Sequence, residues 1–215
     1  IEARTQFHEE PSNRRLRLKK DLMGLTRRLR GGMRQTYTEK LDEETSRGET
    51  ESASFSLAQI GEHRVMMYTA RGNFFGGSFG VVAGEKYLQA IDIAGEENIP
   101  FIGIYTSPGA RQQEGTAALD QMRRVVYAAI DFKKNAKRPH VAVLNAQVWG
   151  GTSASIVPAA DFIVAFRGTD FGFSGRRIIA TYTGSPVESG EQSAEMHAIF
   201  GNVDKLVENQ DDLLI

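Results

Sequence analysis

Cysteine is absent from the 215 residues. Disulfides and a cysteine-ligated zinc ribbon are therefore excluded within them, and the redox compartment stays open. Histidine is scarce, and His8, His63, His140 and His197 share no spacing that suits a metal ion. His140 opens an apolar run and reads as structural rather than catalytic. Also missing is any apolar stretch of the roughly 20 residues needed to span a bilayer, and no signal-peptide pattern appears. The expectation is a soluble, cytoplasmic protein with no membrane partner. An excess of one charge is lacking too: 26 Lys and Arg balance 27 Asp and Glu, for a net −1. Global charge thus predicts no nucleic-acid partner.

What the chain does have is glycine, 22 residues of it, gathered into three turns where a strand should hand over to a helix. They read Phe74-Phe75-Gly76-Gly77-Ser78-Phe79-Gly80, Ser107-Pro108-Gly109-Ala110-Arg111-Gln112-Gln113-Glu114-Gly115 and Trp149-Gly150-Gly151-Thr152-Ser153-Ala154-Ser155. Glycine admits φ values other residues avoid and lets backbone approach a ligand closely. Helix N-termini add unpaired N–H groups and partial positive charge. Two such turns facing each other can hold an oxyanion with main chain alone. The alternative for any one of them is a tight strand-to-helix turn with no ligand.

Length favours one main domain with a sizeable core, preceded by an arm. Residues 1–51 form a basic arm and linker; residues 52–215 form the domain. From Arg14 to Arg34 nine basic residues face Asp21 alone, with Leu16, Leu18, Leu22, Leu25 and Leu29 at roughly helical spacing before Gly31-Gly32. This helical arm reads first as one that packs its leucines on a neighbour and solvates its charges. A basic helix touching phosphates of a ligand or an acidic partner is the other reading. Lys40 to Glu51 is polar and acidic, as a linker is. Beyond it the pattern is α/β. A hairpin or meander is expected over 54–70, a helix over 80–97 with Val82, Tyr87, Leu88, Ile91 and Ile93 available to bury, and a buried strand over 100–105. A second helix over 116–134 has Leu119, Met122, Val126 and Ile130 spaced three or four apart. Strands at 140–145, 162–166, 171–173 and 203–207 and helices at 152–159 and 193–200 complete the reading, which suggests stacked β-β-α units.

The glycine blocks, together with Asp161, Gly172-Phe173-Ser174-Gly175, Ser193-Ala194-Glu195-Met196-His197 and Gly201-Asn202-Val203-Asp204-Lys205-Leu206-Val207, resemble the carboxyltransferase components of biotin-dependent acyl-CoA carboxylases. The nearest likeness is the bacterial acetyl-CoA carboxylase carboxyltransferase beta subunit. It covers about Phe55 to Val207, in order, and four ordered blocks are a strong signal. The resemblance implies a crotonase-like, ClpP-like β-β-α spiral. Three departures stand out. The family's four-cysteine zinc ribbon is not here, Pro108 replaces a glycine, and Gly175-Arg176-Arg177 replaces Gly-Pro-Arg. Pro108 lacks an N–H, but the family's oxyanion donors fall at Gly109 and Ala110.

The resemblance implies transfer of a carboxyl group from carboxybiotin to a short acyl-CoA, acetyl-CoA or propionyl-CoA. The thioester oxyanion would sit near Gly109, Ala110, Gly150 and Gly151. Gly76, Gly77 and Ser78 would line the acyl-CoA side. Arg111 is a substrate-binding candidate as well, although an ion pair or capping contact with Glu114 is the plainer role for both. Trp149 is either a pocket wall or core. In this family the site lies between two crotonase-like units, so the expected partner is an alpha-type subunit or a second copy. No Met-Lys-Met biotinylation site occurs, so biotin is expected on a separate biotin carboxyl carrier protein, and no metal is expected in this chain. The rival readings are a biotin-independent malonyl-thioester decarboxylase subunit and a non-catalytic scaffold. Weaker ones are a ClpP-like serine protease using Ser153 or Ser155 with His197, and an enoyl-CoA hydratase relying on Glu114.

Overall fold

The computed structural model describes residues 35–188, 190–209 and 211–213; the basic segment 14–34 lies outside them. The chain divides into two units, residues 1–42 and 43–215. Where a linker is expected, helix α1 (Tyr37–Ser46) forms instead. Its start is a reciprocal capping box. Glu39 N–H donates to Thr36 Oγ1 at 3.3 Å and Thr36 N–H to Glu39 Oε2 at 3.1 Å, which satisfies donors a helix start leaves bare.

The second unit is a mixed α/β fold. β1 (Ala53–Ile60) and β2 (His63–Ala70) make the expected antiparallel hairpin, and Gly61, at φ +58°, takes its turn. Then come α2 (Val81–Glu96), β3 (Phe101–Ser107), α3 (Thr116–Asn135), β4 (His140–Trp149), β5 (Phe162–Phe166), β6 (Phe171–Gly172), α4 (Arg176–Thr183), α5 (Ala194–Ile199) and β7 (Lys205–Val207). The sheet runs β1-β2-β3-β4-β5-β7, parallel from β2 onward, with β6 also on β4. β4 serves two neighbours. Its first half pairs with β5, and its last two residues, Val148 and Trp149, pair with β6. Between these halves its register against β3 shifts, from Tyr105 opposite Leu144 to Ser107 opposite Val148. Extra residues in one strand bend it, and the bend delivers the third glycine turn beside the end of β3.

Helix α3 packs on α2 at Gly84, where any Cβ would run into Gln121. Its buried stripe is Ala118, Met122, Val125, Ala129 and Phe132. That is rotated from the expected one, since Leu119 is 58% and Ile130 36% exposed. On α2, likewise, Val82 is exposed while Ala83, Ala90 and Ala94 join Tyr87 and Ile91 inside. Small residues win these positions because the two helices approach closely, and the larger apolar side chains are turned outward. Helix α4 has no counterpart in the sequence reading, which places no element between 173 and 193.

Behind the sheet the rings stack edge to face: Tyr68 on Tyr87 at 5.1 Å, Tyr87 on Phe101 at 5.0 Å and Phe101 on His140 at 5.1 Å. His140 is fully buried, 3.3 Å from the Tyr87 hydroxyl through Nε2. Burial disfavours its charged form and lowers its pKa to about 4, Lys133 adding to the effect. It is a structural histidine, as its place in the sequence implied.

Candidate functional site

The second and third glycine turns meet backbone to backbone. A Cβ on Gly109, at φ +103°, would lie 3.0 Å from Gly151 N, 3.1 Å from Trp149 O and 3.2 Å from Gly150 Cα. Conversely, a Cβ on Gly150, at φ +64°, would lie 3.1 Å from the Pro108 carbonyl oxygen. Only glycine permits this approach. Two buried hydroxyls lock it: Ser107 Oγ and Thr152 Oγ1 are 3.0 Å apart, and Gly109 N–H donates to Ser107 Oγ at 3.2 Å. Ser107, unremarked in the sequence apart from its place in the block, is therefore a stitch between the two turns.

The four amides of interest are not equivalent. Gly150 N–H is engaged by the Phe173 carbonyl at 3.0 Å, and Gly109 N–H leans on Ser107. Ala110 sits between two backbone bonds to Phe79, with Phe79 N–H donating to Gly109 O and Arg111 N–H to Phe79 O, both at 2.8 Å. Its own N–H has no partner among the described residues. Gly151 lies in the first turn of the helical segment that opens at Gly150 and continues as the π-helical turn Thr152–Ile156, where an N–H has no intrahelical acceptor. Among the described residues the donors left over are thus at Ala110 and Gly151, one from each turn.

The first glycine block is structural over most of its length. Gly77 packs on Thr106, its Cβ position 2.5 Å from that carbonyl oxygen, while Gly76 is exposed and nothing lies within 4 Å of its Cβ position. The start of α2 is closed rather than open to a ligand, because Glu114 Oε2 accepts the Val81 N–H at 2.6 Å. Ser78 is buried, its hydroxyl accepting from Arg111 Nε at 3.3 Å. Arg111 itself is 1% exposed, ion-paired with Glu51 and, at 2.9 Å, with Glu114. It also donates to Ser52 and to the Ser78 carbonyl and lies 5.1 Å over the rings of both Phe74 and Phe75. The ion-pair and capping roles weighed for Arg111 and Glu114 are both present, and Arg111 presents no face to a substrate. Glu51, lying in the stretch read as linker, gave no signal in the sequence. Burial alone would raise its carboxyl. Hydrogen bonds from Arg111 and the Ser52 amide, with Arg111's charge, outweigh that and leave it below the usual carboxylate range. Removing one partner of such a pair typically costs about 3–5 kcal/mol.

Side-chain chemistry is closed off around the turns. Ser153 Oγ shares its one proton between the Gly150 and Gly172 carbonyls, 2.9 and 2.6 Å away, and Ser155 Oγ donates to Gly151 O at 2.5 Å. His197 Nε2 lies 2.6 Å from the Phe171 carbonyl, so no Ser–His pair forms. Glu114, held by Arg111 and Val81, is not placed to activate water. Trp149 packs on Gly172. One cleft, of 570 Å³, runs between α2 and α3 past Asp92, Glu96 and Asp131; another, of 370 Å³, is lined by Ser153 and Ala154 of the third turn with Phe171, Gly172, Phe173 and His197. The described residues contain no group of three acidic or histidine side chains able to hold a metal, and no described helix is long and apolar enough to cross a membrane.

The carboxyl transferase domain family matches residues 58–214, which takes in all three turns. The chain belongs to this family. Its carboxyl transferase relatives include the acetyl-coenzyme A carboxylase carboxyl transferase subunit beta of Chloroflexus aggregans, 36% identical over 174 residues, covering 80% of this chain and 57% of that protein. The subunit beta 2 of a Roseiflexus species is 37% identical over 175 residues, covering 81% and 58%. The chain therefore spans a little over half the length of these relatives. Among solved carboxyl transferase-like folds, the transcarboxylase 12S hexamer with hydrolysed methylmalonyl-coenzyme A superposes at TM-score 0.70 and 20% identity, over 97% of this chain and 46% of that one. The Pseudomonas malonate decarboxylase MdcD-MdcE heterodimer does so at TM-score 0.67 and 20% identity, over 76% and 75%. The mixed α/β architecture expected from the β-β-α order is that of these enzymes.

Proposed function

We propose that this chain supplies one half of a carboxyltransferase site, in which a carboxyl group moves from carboxybiotin to the α-carbon of a short acyl-CoA, acetyl-CoA or propionyl-CoA. The observation that carries the reading is the contact of the Gly109 and Gly150-Gly151 turns with the Ala110 and Gly151 amides left over. When the α-carbon of a thioester becomes a nucleophile, negative charge gathers on the thioester oxygen. Fixed N–H donors aimed at that oxygen lower the barrier, and losing one costs on the order of 10²–10³ in rate. Carboxybiotin, when bound, supplies the carboxyl group and a nitrogen that takes the α-proton. This suits a site whose serines, histidine and glutamate are all otherwise engaged. Gly109 and Gly150 set the spacing of the donors, Gly76 and Gly77 border the acyl-CoA side, and Ser78 and Arg111 hold that border in place.

The other half of the site comes from a second crotonase-like unit, an alpha-type subunit or a second copy, and biotin arrives on a biotin carboxyl carrier protein. Support comes from the relatives, which are named as carboxylase subunits, and from two folds similar to this one, which are described in a hexamer and a heterodimer. The test is to purify the native complex on this chain, blot for biotin, and assay carboxyl transfer to acetyl-CoA and propionyl-CoA. A biotinylated carrier with biotin-dependent transfer is the expected result. Biotin-free release of CO₂ from a malonyl thioester would replace this reading with the decarboxylase one. A complex whose turnover survives substitution of Gly109 would leave the chain a scaffold.

A further inference from the structure

The Arg111 cluster does more than fill the core. One guanidinium ties three separate segments: residues 51–52 ahead of β1, the Phe74–Ser78 turn, and its own turn after β3. Nη1 donates to Glu51 Oε2 at 3.1 Å and to Glu114 Oε1 at 2.9 Å; Nη2 donates to Glu51 Oε1, to Ser52 Oγ at 3.2 Å and to Ser78 O at 3.0 Å. Glu51 and Arg111 are 3% and 1% exposed at their side chains, so neither is held by chance solvent geometry. The charges are also apportioned. Glu51 answers Arg111, whereas Glu114 divides itself between Arg111 and the N-terminus of α2 through Val81 N–H. A planar fork with five donors meets a two-oxygen carboxylate in a way an ammonium does not. This cation belongs to the immediate neighbour of Ala110, and among the described residues Ala110 is flanked by the two backbone hydrogen bonds that Phe79 makes with Gly109 and Arg111.

We propose that Glu51 and Arg111 are a positioning pair for the Ala110 amide, setting the aim of that donor from behind without touching substrate. This rests on the carboxyltransferase reading of the turns for its kinetic consequence and on geometry alone for its structural one. A donor re-aimed by a fraction of an ångström still binds the uncharged thioester but serves the charged transition state poorly. Loosening the pair therefore lowers kcat and leaves KM nearly unchanged. Misplacements of about 1 Å cost up to roughly 10²-fold.

Two isosteric or near-isosteric variants, Glu51→Gln and Arg111→Lys, with Glu51→Asp as the conservative rescue, are tested in the assembled complex. The expected result is a drop in kcat of about tenfold or more at a KM for acyl-CoA within twofold, largely restored in Glu51→Asp. In parallel, amide hydrogen exchange on the full chain reads the geometry without any turnover. Phe79 and Arg111 N–H groups should lose protection while Val143 and Leu144 in β4 keep theirs. Variants that lose protection uniformly, or that keep wild-type kcat per folded molecule, overturn the proposal. Should the wild-type complex show no carboxyl transfer, the functional reading fails by itself. The exchange pattern then decides the pair: local loss at Phe79 and Arg111 upholds it and uniform loss removes it.

Discussion

Replacing Gly109 by alanine adds one methyl group at the place where the two turns touch. Its Cβ would meet Gly151 N at 3.0 Å, Trp149 O at 3.1 Å and Gly150 Cα at 3.2 Å. All three are main-chain atoms in a turn fastened by the Gly150–Phe173 hydrogen bond and the Ser107–Thr152 contact, so none can rotate aside as a flexible side chain would. A non-glycine residue at φ +103° also sits outside the favoured regions, which costs about 1–3 kcal/mol by itself. Strain and crowding together come to about 3 kcal/mol, at the upper end for a single substitution. Gly184→Ala is the control. Gly184 has φ +71° and ψ +6°, with nothing within 4 Å of its Cβ position, so only the left-handed backbone cost of about 1 kcal/mol applies. For a domain of this size, each 1 kcal/mol lowers Tm by about 2–4 °C. Thermal unfolding followed by circular dichroism should therefore show a loss of roughly 6–12 °C for Gly109→Ala and 2–4 °C for Gly184→Ala. In the assembled complex, kcat for carboxyl transfer should fall about 10²–10³-fold for the first variant only. Equal Tm losses with full turnover in both would refute the reasoning, because they would mean the turns are not in contact and the Gly109 backbone sets no donor.

Two other outcomes follow from the core. His140 is neutral and buried with a pKa lowered to about 4 from 6.5, so the native state refuses a proton that the unfolded chain accepts. Stability is complete above pH 6.5 and drains away as pH falls toward 4. Between pH 7 and pH 5 urea midpoints should register a loss of about 2 kcal/mol, and His140→Gln should flatten that slope. On α3, Val125→Ala should cost about 2 kcal/mol, whereas Leu119→Ala, at a site 58% exposed, should stay within about 0.5 kcal/mol; denaturant titration of the two variants checks which stripe faces the sheet.

Much of the architecture is legible in the residues. Alternation in 54–58 with the turn at Gly61-Glu62 marks the hairpin, and short apolar runs mark β3, β4 and β5, because a half-buried or buried strand imposes those patterns directly. The rotated stripe of α3 was not legible. Leu119, Val126 and Ile130 satisfy helical spacing as well as Ala118, Val125 and Ala129 do, and only the close approach at Gly84 selects the smaller set. α1 was missed because its composition is that of a solvated linker, although Thr36 and Glu39 carry its capping box. α4 has no counterpart because its apolar residues Ile178 and Tyr182 lie exposed, so burial imposes no periodic pattern on it. At the site the glycine turns were visible, but not which of their amides are already engaged. That depends on Phe173 and Ser107, whose partners are fixed by the bend in β4. Glu51 was invisible for a related reason: its partner lies 60 residues away, and one glutamate in an acidic stretch carries no mark.

A binding surface made of peptide N–H groups has an unusual genetic profile. The donor at Ala110 belongs to whatever residue occupies that position, so a codon change there, proline apart, keeps the N–H group itself. Proline alone deletes the group. Damage by point mutation should therefore concentrate at the glycine codons that let the turns approach, and at changes to proline. The same arithmetic applies to inhibitors. A compound that takes its affinity from the Ala110 and Gly151 amides offers resistance few side chains to alter, and the positions that remain, Gly109 and Gly150, are ones whose replacement also disables the turns.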